Sequence, residues 1–292
     1  MEILMTILII GLCIFGLILI RIVYENKCVI TTEYSINLKG LHKDKSIVFI
    51  SDFHSHKSFD FRWKVLEAIK KTGTDTIIIC GDMIIGKPNK DSYPAIQFIK
   101  ELSKKYKVYF TYGNHESRMF TRNIEDKQDF FGEIKKIDNL TILNNESTSI
   151  NINNMTVNLY GLELEDEFYK KKKCKVLDKE HIQSVLGEKK TGFSILIAHK
   201  PDFFDAYSGY GADLIISGHN HGGTIRLPGM GGLISTSFKL FPDYCYGSYY
   251  LRNSRMIVSS GLGGHSIKVR LFNKPEIVCL NFKGNKKLNK KK

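Results

Sequence analysis

The chain has 292 residues, 42% of them apolar and 25% charged, with 43 Lys and Arg against 30 Asp and Glu. That apolar share is ordinary for a globular core and argues against a disordered chain, and the length suits one large domain or two small ones. The net charge of +13 makes an acidic partner surface, membrane or nucleic acid, more natural than a basic one.

Part of that charge is local: Lys170, Lys171, Lys172, Lys173 and Lys175 form one run, and Lys286, Lys287, Lys290, Lys291 and Lys292 end the chain. Like-charge blocks repel and stay extended in solvent, so solvated segments are the plain expectation and attraction to an anionic surface the alternative. The six cysteines (Cys13, Cys28, Cys80, Cys174, Cys245, Cys279) show no paired spacing. That excludes a zinc-type CxxC and points away from a disulfide framework, favouring a reducing compartment. Cys80 and Cys279 sit in apolar runs, where a thiol acts as a small hydrophobe.

Residues 3–20, ILMTILIIGLCIFGLILI, carry no charge. At roughly 1.5 Å per residue they reach about 27 Å, enough to cross a hydrocarbon core, and Ile22, Val23 and Tyr24 extend them. A signal peptide is the competing reading, but Glu2 is the only charge before the run and no small-x-small site follows. Leu12 before Cys13 is also too large for a lipoprotein signal. We therefore expect an uncleaved transmembrane anchor over 1–24. Arg21 and Lys27 follow it and no basic side chain precedes it, which places the main domain on the cytoplasmic side.

Residues 25–45 read as a connector with an extended segment near CVITTEYSI. From residue 46 a pattern recurs in which a short apolar run stops at polar residues. SIVFI (46–50) ends in Ser51-Asp52-Phe53-His54, and TIIIC (76–80) in Gly81-Asp82. KVYFTY (107–112) ends in Gly113-Asn114-His115-Glu116, FSILIA (193–198) in His199-Lys200, and ADLIIS (212–217) in Gly218-His219-Asn220-His221. Runs apolar on both faces suit strands buried between layers. Residues 61–71, 93–105 and 125–136 carry the spacing of helices, which then pack on sheet, and 155–163 reads as another strand. No repeat or second boundary interrupts residues 46–284, taken as one domain before a basic tail at 285–292.

Each of the five runs delivers Asp, His or Asn beyond a strand's carboxyl end, the edge where open sheets bind ligands. Singly, Asp52 or Asp82 would be a helix cap, Asn114 a turn residue and His199 a core histidine. Five strand ends behaving alike make a stronger case for a site. Carboxylate and amide oxygens with imidazole nitrogens suit Mn, Fe or Zn. Strand alternation would aim Asp52 with His54, and His219 with His221, in common directions.

In SDFH, GD, GNHE, AH and GHNH, in that order, the sequence resembles the calcineurin-like metallophosphoesterases. The resemblance implies a four-layer α-β-β-α sandwich and hydrolysis of a phosphodiester or pyrophosphate bond by metal-activated water. It also implies two divalent or trivalent metal ions. Asp52, His54 and His221 would hold one, Asn114, His199 and His219 the other, and Asp82 would bridge them. A protonated His115 would face the scissile phosphate. A narrower resemblance, to membrane-anchored YkuE-like and YaeI-like members and some UDP-2,3-diacylglucosamine hydrolases, rests on the anchor, GGTIRLPGMGGL (222–233), LFPDYCYGSY (240–249) and SSGLGGHSIKVRLFNKPEI (259–277). Asn220 and Thr224 depart from its usual Thr and Gln, which leaves substrate preference open.

Arg118 and His265 are further candidates for substrate contact, whereas His42, His56 and His181 suit packing or surface roles. Residues 227–246, with Leu233, Phe238, Leu240, Phe241 and Tyr244, suit an apolar rim for a lipid-linked substrate or a packed loop. The alternatives are a soluble nucleotide phosphodiesterase or nuclease, and a metal-stabilised binding module without catalysis. Nucleic acid is the less favoured partner, since no aromatic–basic alternation marks a strand-binding groove.

Overall fold

The computed structural model describes residues 1–122, 127–170, 174–227, 231–234, 240–264 and 269–284. Helix α1 (Glu2–Asn26) opens the chain, with a mean hydropathy of 3.1 over its apolar window. Its apolar side chains are exposed, as those of a helix long and apolar enough to cross a membrane would be before lipid covers them. The segment expected as a connector carries strand β1 (Ile30–Leu38), in which Thr31, Glu33, Ser35 and Asn37 face solvent while Ile36 and Leu38 are buried. That alternation makes an edge strand with one wet face.

The core elements follow as β2 (Lys45–Ile50), α2 (Phe59–Lys71), β3 (Thr76–Cys80), α3 (Tyr93–Ser103), β4 (Lys107–Thr111), α4 (Asn114–Thr121), α5 (Lys127–Ile134) and β5 (Leu140–Ile142). The second half runs β6 (Glu146–Ile152), β7 (Met155–Leu162), α6 (Lys179–Leu186), β8 (Phe193–Ala198), α7 (Phe204–Tyr210) and β9 (Leu214–Ser217). After the short β10 (Arg226–Leu227) and β11 (Gly231–Gly232) come β12 (Gly247–Leu251), β13 (Ser254–Val258) and β14 (Glu276–Gly284).

The strands form two six-stranded sheets, in the orders β1-β14-β2-β3-β4-β5 and β12-β13-β9-β8-β7-β6. In the first, β2 to β5 are parallel and β14 runs antiparallel to β2 while pairing in parallel with β1. In the second, β7, β8, β9 and β13 are parallel, flanked by antiparallel β6 and β12. Phe49, Ile78, Ile197, Ile216 and Leu280 pack between the sheets. The outer face of the first sheet is covered by Val65 and Ile69 of α2, Phe98 and Leu102 of α3, and Phe130 and Ile134 of α5. Ile182 of α6 and Tyr207 of α7 cover the second.

The result is the expected four-layer α-β-β-α sandwich, which explains why the central runs are apolar on both faces. Every residue of β3 and β9 is buried. Expected strand ends shift by a residue or two, and α5 is shorter than the stretch expected at 125–136, whose first two residues lie outside the described ones.

Candidate metal centre

The carboxyl ends of β2, β3 and β4 in one sheet and β8 and β9 in the other converge on a common edge. Two bonds tie the sheets together there: Cys80 Sγ donates to Ile216 O at 3.3 Å, and Nδ1 of His199 lies 2.7 Å from Cys80 O. Beyond the strands the backbone turns abruptly. Asp52, His54, Asp82, His219 and His221 all have left-handed φ, between 48° and 68°. Such a conformation costs an L-residue about 1–3 kcal/mol and persists where surrounding contacts impose it. Asp52 and His54 therefore share a direction through these turns rather than through the strand alternation expected from sequence, whereas His219 joins Asp82 and His199 and His221 joins Asp52 and His54. Gly81 (φ 76°) lets the edge close: a Cβ there would sit 2.7 Å from Gly113 Cα.

Nε2 of His54 and Nε2 of His221 are 3.0 Å apart, and Nε2 of His221 is 3.4 Å from Asp52 Oδ1. Nε2 of His199 lies 3.1 Å from Asp82 Oδ2 and 3.7 Å from Asp52 Oδ1. Among the described residues, three groups could each hold a cation: Asp52, His54 and His221; His54, Asp82 and His115; Asp82, His199 and His219. Asp82 belongs to two of them. Asn114 is 2% exposed, and its Oδ1 has no hydrogen-bond partner among the described residues, while the buried Nε2 of His199 faces the Asp82 carboxylate. Buried polar atoms are rarely left without a partner. An unsatisfied amide oxygen, together with buried imidazole nitrogens set against the Asp52 and Asp82 carboxylates, is a donor set that a cation would use, so the residues fit a metal.

The ring nitrogens are sorted by the backbone. Nδ1 of His54 lies 3.1 Å from Ile84 O, that of His199 against Cys80 O, and that of His221 3.3 Å from Gly263 O. A carbonyl only accepts, so each Nδ1 carries the hydrogen and each Nε2 presents its lone pair to the centre. In His115 the arrangement is reversed. The N–H of Gly86 donates to its Nδ1 at 2.9 Å, which places the ring hydrogen on Nε2.

Burial alone would lower the pKa of His199, yet Asp82 and Asp52 hold it well above the usual imidazole range. Burial would likewise raise Asp82, but His199 and His115 hold it well below the usual carboxylate range. The two carboxylates that raise His199 would equally draw a metal cation to its Nε2 lone pair in place of a proton.

Glu116 was not singled out from sequence. Fully buried, it accepts from the N–H groups of Asp82 (2.8 Å), Met83 (2.7 Å), Ile84 (3.2 Å) and Gly113 (2.9 Å), fixing the β3 and β4 turns against each other. The signal was its place three residues after Gly113, the spacing of a helix capping box. Arg118 is spent on Asp166, Nε to Oδ1 at 3.1 Å. His265 lies outside the described residues, as do Lys171, Lys172, Lys173, the basic tail and Phe238 of the expected rim. Beside His54 and His115 opens a cavity of about 690 Å³, lined also by Phe53, His56, Lys57, Lys87 and Lys90.

Residues 45–223 match the family model of the calcineurin-like phosphoesterases, and that span holds every strand end just described. The chain belongs to this family. The phosphoesterase is similar to the metallophosphoesterase Cj0846 of Campylobacter jejuni, with 30% identity over 86% of this chain and 62% of that one. It is also similar to the metallophosphoesterase YkuE of Bacillus subtilis, with 27% identity over 87% and 85% of the two chains. Among solved structures, the NAD nucleotidase of Haemophilus influenzae superposes with a TM-score of 0.47 and 15% identity, over 75% of this chain and 46% of that one. The phosphoesterase is thus a metal-dependent hydrolase with Asp/His clusters suited to metal ions.

Proposed function

We propose that this phosphoesterase is anchored in a membrane by α1 and cleaves a phosphodiester or pyrophosphate bond of a lipid-linked substrate. Asp52, His54 and His221 hold one cation, Asn114, His199 and His219 a second, and Asp82 lies between them. The observation that carries this reading is the common orientation of His54, His199 and His221. Each anchors Nδ1 on a backbone carbonyl and turns Nε2 toward Asp52 or Asp82.

When bound, two such ions neutralise phosphoryl oxygens and lower the pKa of an attacking water; Mn, Fe or Zn suits the donors. The protein's own part is to hold His115 where its Nε2–H can donate to a phosphoryl or leaving oxygen. Because Nδ1 accepts from the Gly86 N–H, the hydrogen on Nε2 is the one His115 offers to the phosphate. Catalysis then comes chiefly from preorganised charge and hydrogen-bond donors. Lys57, Lys87 and Lys90 around the cavity favour an anionic leaving portion.

The exposed apolar surface of α1, continuous from Ile3 to Ile20 but for Thr6, Gly11, Cys13 and Gly16, supports the anchor. Arg21 and Lys27 support a cytoplasmic catalytic domain. In this reading residues 1–24 are the anchor, 25–45 a connector that contributes β1, 46–284 the catalytic domain and 285–292 a basic tail. Metal analysis of the purified full chain, with phosphate mono- and diesters as substrates, tests the chemistry. Liposomes carrying a phosphodiester lipid test the substrate class. Preference for the lipid over a soluble diester is expected; equal rates would overturn the lipid-linked reading, and no hydrolysis by metal-loaded protein would overturn catalysis.

A further inference from the structure

Glu25 is fully buried in the last turn of α1, a helix whose apolar side chains are otherwise largely exposed. Its Oε1 accepts from Arg21 Nε at 2.6 Å. Its Oε2 accepts from the backbone N–H of Asn273 at 2.9 Å, a contact spanning 248 positions of sequence. A carboxylate taken out of water is costly unless charge-assisted bonds replace its hydration, so this placement serves the domain rather than the helix.

Asn273 passes the contact on. It is 1% exposed, its Nδ2 donates to the carbonyls of His221 (2.7 Å) and Gly223, and its Oδ1 accepts from Arg226 Nε at 3.2 Å. Its amide therefore grips the turn that carries His221 from the main-chain side. The neighbouring Arg270 supports the ring side of the same histidine. It donates to the carbonyls of Ser260 (2.9 Å), Gly261 (3.2 Å) and Gly263, and Gly263 O is the acceptor facing Nδ1 of His221. Residues 270–273 thus brace His221 from both sides, and Glu25 holds their main chain from the helix.

We propose that Glu25 is a positioning residue for the metal centre, acting through Asn273 on His221, so that the docked end of α1 sets how tightly the cation at Asp52, His54 and His221 is held. The proposal rests on the metal-centre reading above. Polar partners one step removed from a metal commonly change its affinity 10- to 100-fold when removed.

The test uses the full chain in lipid nanodiscs loaded with Mn²⁺, with chelator competition, kcat and KM on a soluble phosphodiester, and thermal unfolding. Glu25→Ala is expected to weaken retention of one Mn²⁺ about tenfold or more, lowering kcat at nearly constant KM. Asn273→Ser, which keeps the main-chain bond to Glu25 but removes the amide, should do the same, and the double variant should be no worse than either single one. Glu25→Gln, whose amide oxygen can still accept from Asn273, should recover most of the affinity, and Glu2→Ala at the far end of α1 should match the unmodified chain. Unchanged Mn²⁺ retention in Glu25→Ala, additive losses in the double variant, or Gln as damaging as Ala would each overturn the proposal. If Glu25→Ala does not fold, Asn273→Ser and Glu25→Gln decide alone. Should the unmodified chain hold no Mn²⁺, the metal-centre reading fails instead. The relay is then read from hydrogen exchange over residues 219–223, where unchanged protection in Asn273→Ser overturns it.

Discussion

The main-chain N–H of Gly86 donates to Nδ1 of His115, while Nδ1 of His54, one ring away at 4.8 Å between centroids, faces the carbonyl of Ile84. Two adjacent imidazoles are thus set in opposite tautomers by backbone groups two residues apart. One offers a lone pair, the other a hydrogen. His115→Ala is therefore expected to keep its full metal content while kcat falls about 10²–10⁴-fold. Elemental analysis alongside kinetics checks this, and a fully active variant would remove His115 from the mechanism.

Asp82 has the opposite expectation. Its Oδ2 lies 3.1 Å from His199 and 3.9 Å from His115, and its Oδ1 accepts from His115 N at 2.8 Å. Asp82→Ala should lose bound metal and turnover together, the latter by at least about 10²-fold. Full metal occupancy in that variant would refute a bridging role.

Glu116→Gln replaces a carboxylate that takes four backbone N–H groups with an amide that must turn one NH₂ toward donors. A buried donor left without an acceptor, together with the lost charge-assisted bonds, should cost about 1–3 kcal/mol. Chemical denaturation reads the loss directly; a midpoint within error of the unmodified protein would mean that the turns hold without it.

Gly261 has φ 68°, and a Cβ there would lie 2.7 Å from Asp52 Cβ. Gly261→Ala should cost about 1–3 kcal/mol from backbone strain and weaken metal retention by displacing Asp52. Normal stability with normal metal content would show that the loop shifts freely.

Arg118, a candidate phosphate contact by sequence, is engaged with Asp166 at 3.1 Å on a partly exposed surface. Arg118→Ala should change stability by less than about 1 kcal/mol and leave KM essentially unaltered. A large rise in KM at constant kcat would return Arg118 to the substrate.

The sequence alone determined the buried strands, because a short apolar run bounded by polar residues is a local property of the chain. It also determined which side chains sit past each strand's carboxyl end, since Asp52, Asp82, Asn114, His199 and His219 follow their runs directly. It identified α1 by hydropathy in the same local way. Tertiary structure decided the rest. The pairing of β1 with β14 joins residues that no periodicity connects. Which nitrogen of each histidine faces the centre depends on carbonyls supplied by other loops, such as Gly263 for His221. The parts played by Glu116, Arg270 and Asn273 consist of bonds to distant backbone groups, and Glu25 reaches Asn273 only because the sheet brings the two ends of the chain together. Side-chain type and spacing are written along the polymer, whereas hydrogen-bond direction and close approach exist only once the two sheets have packed.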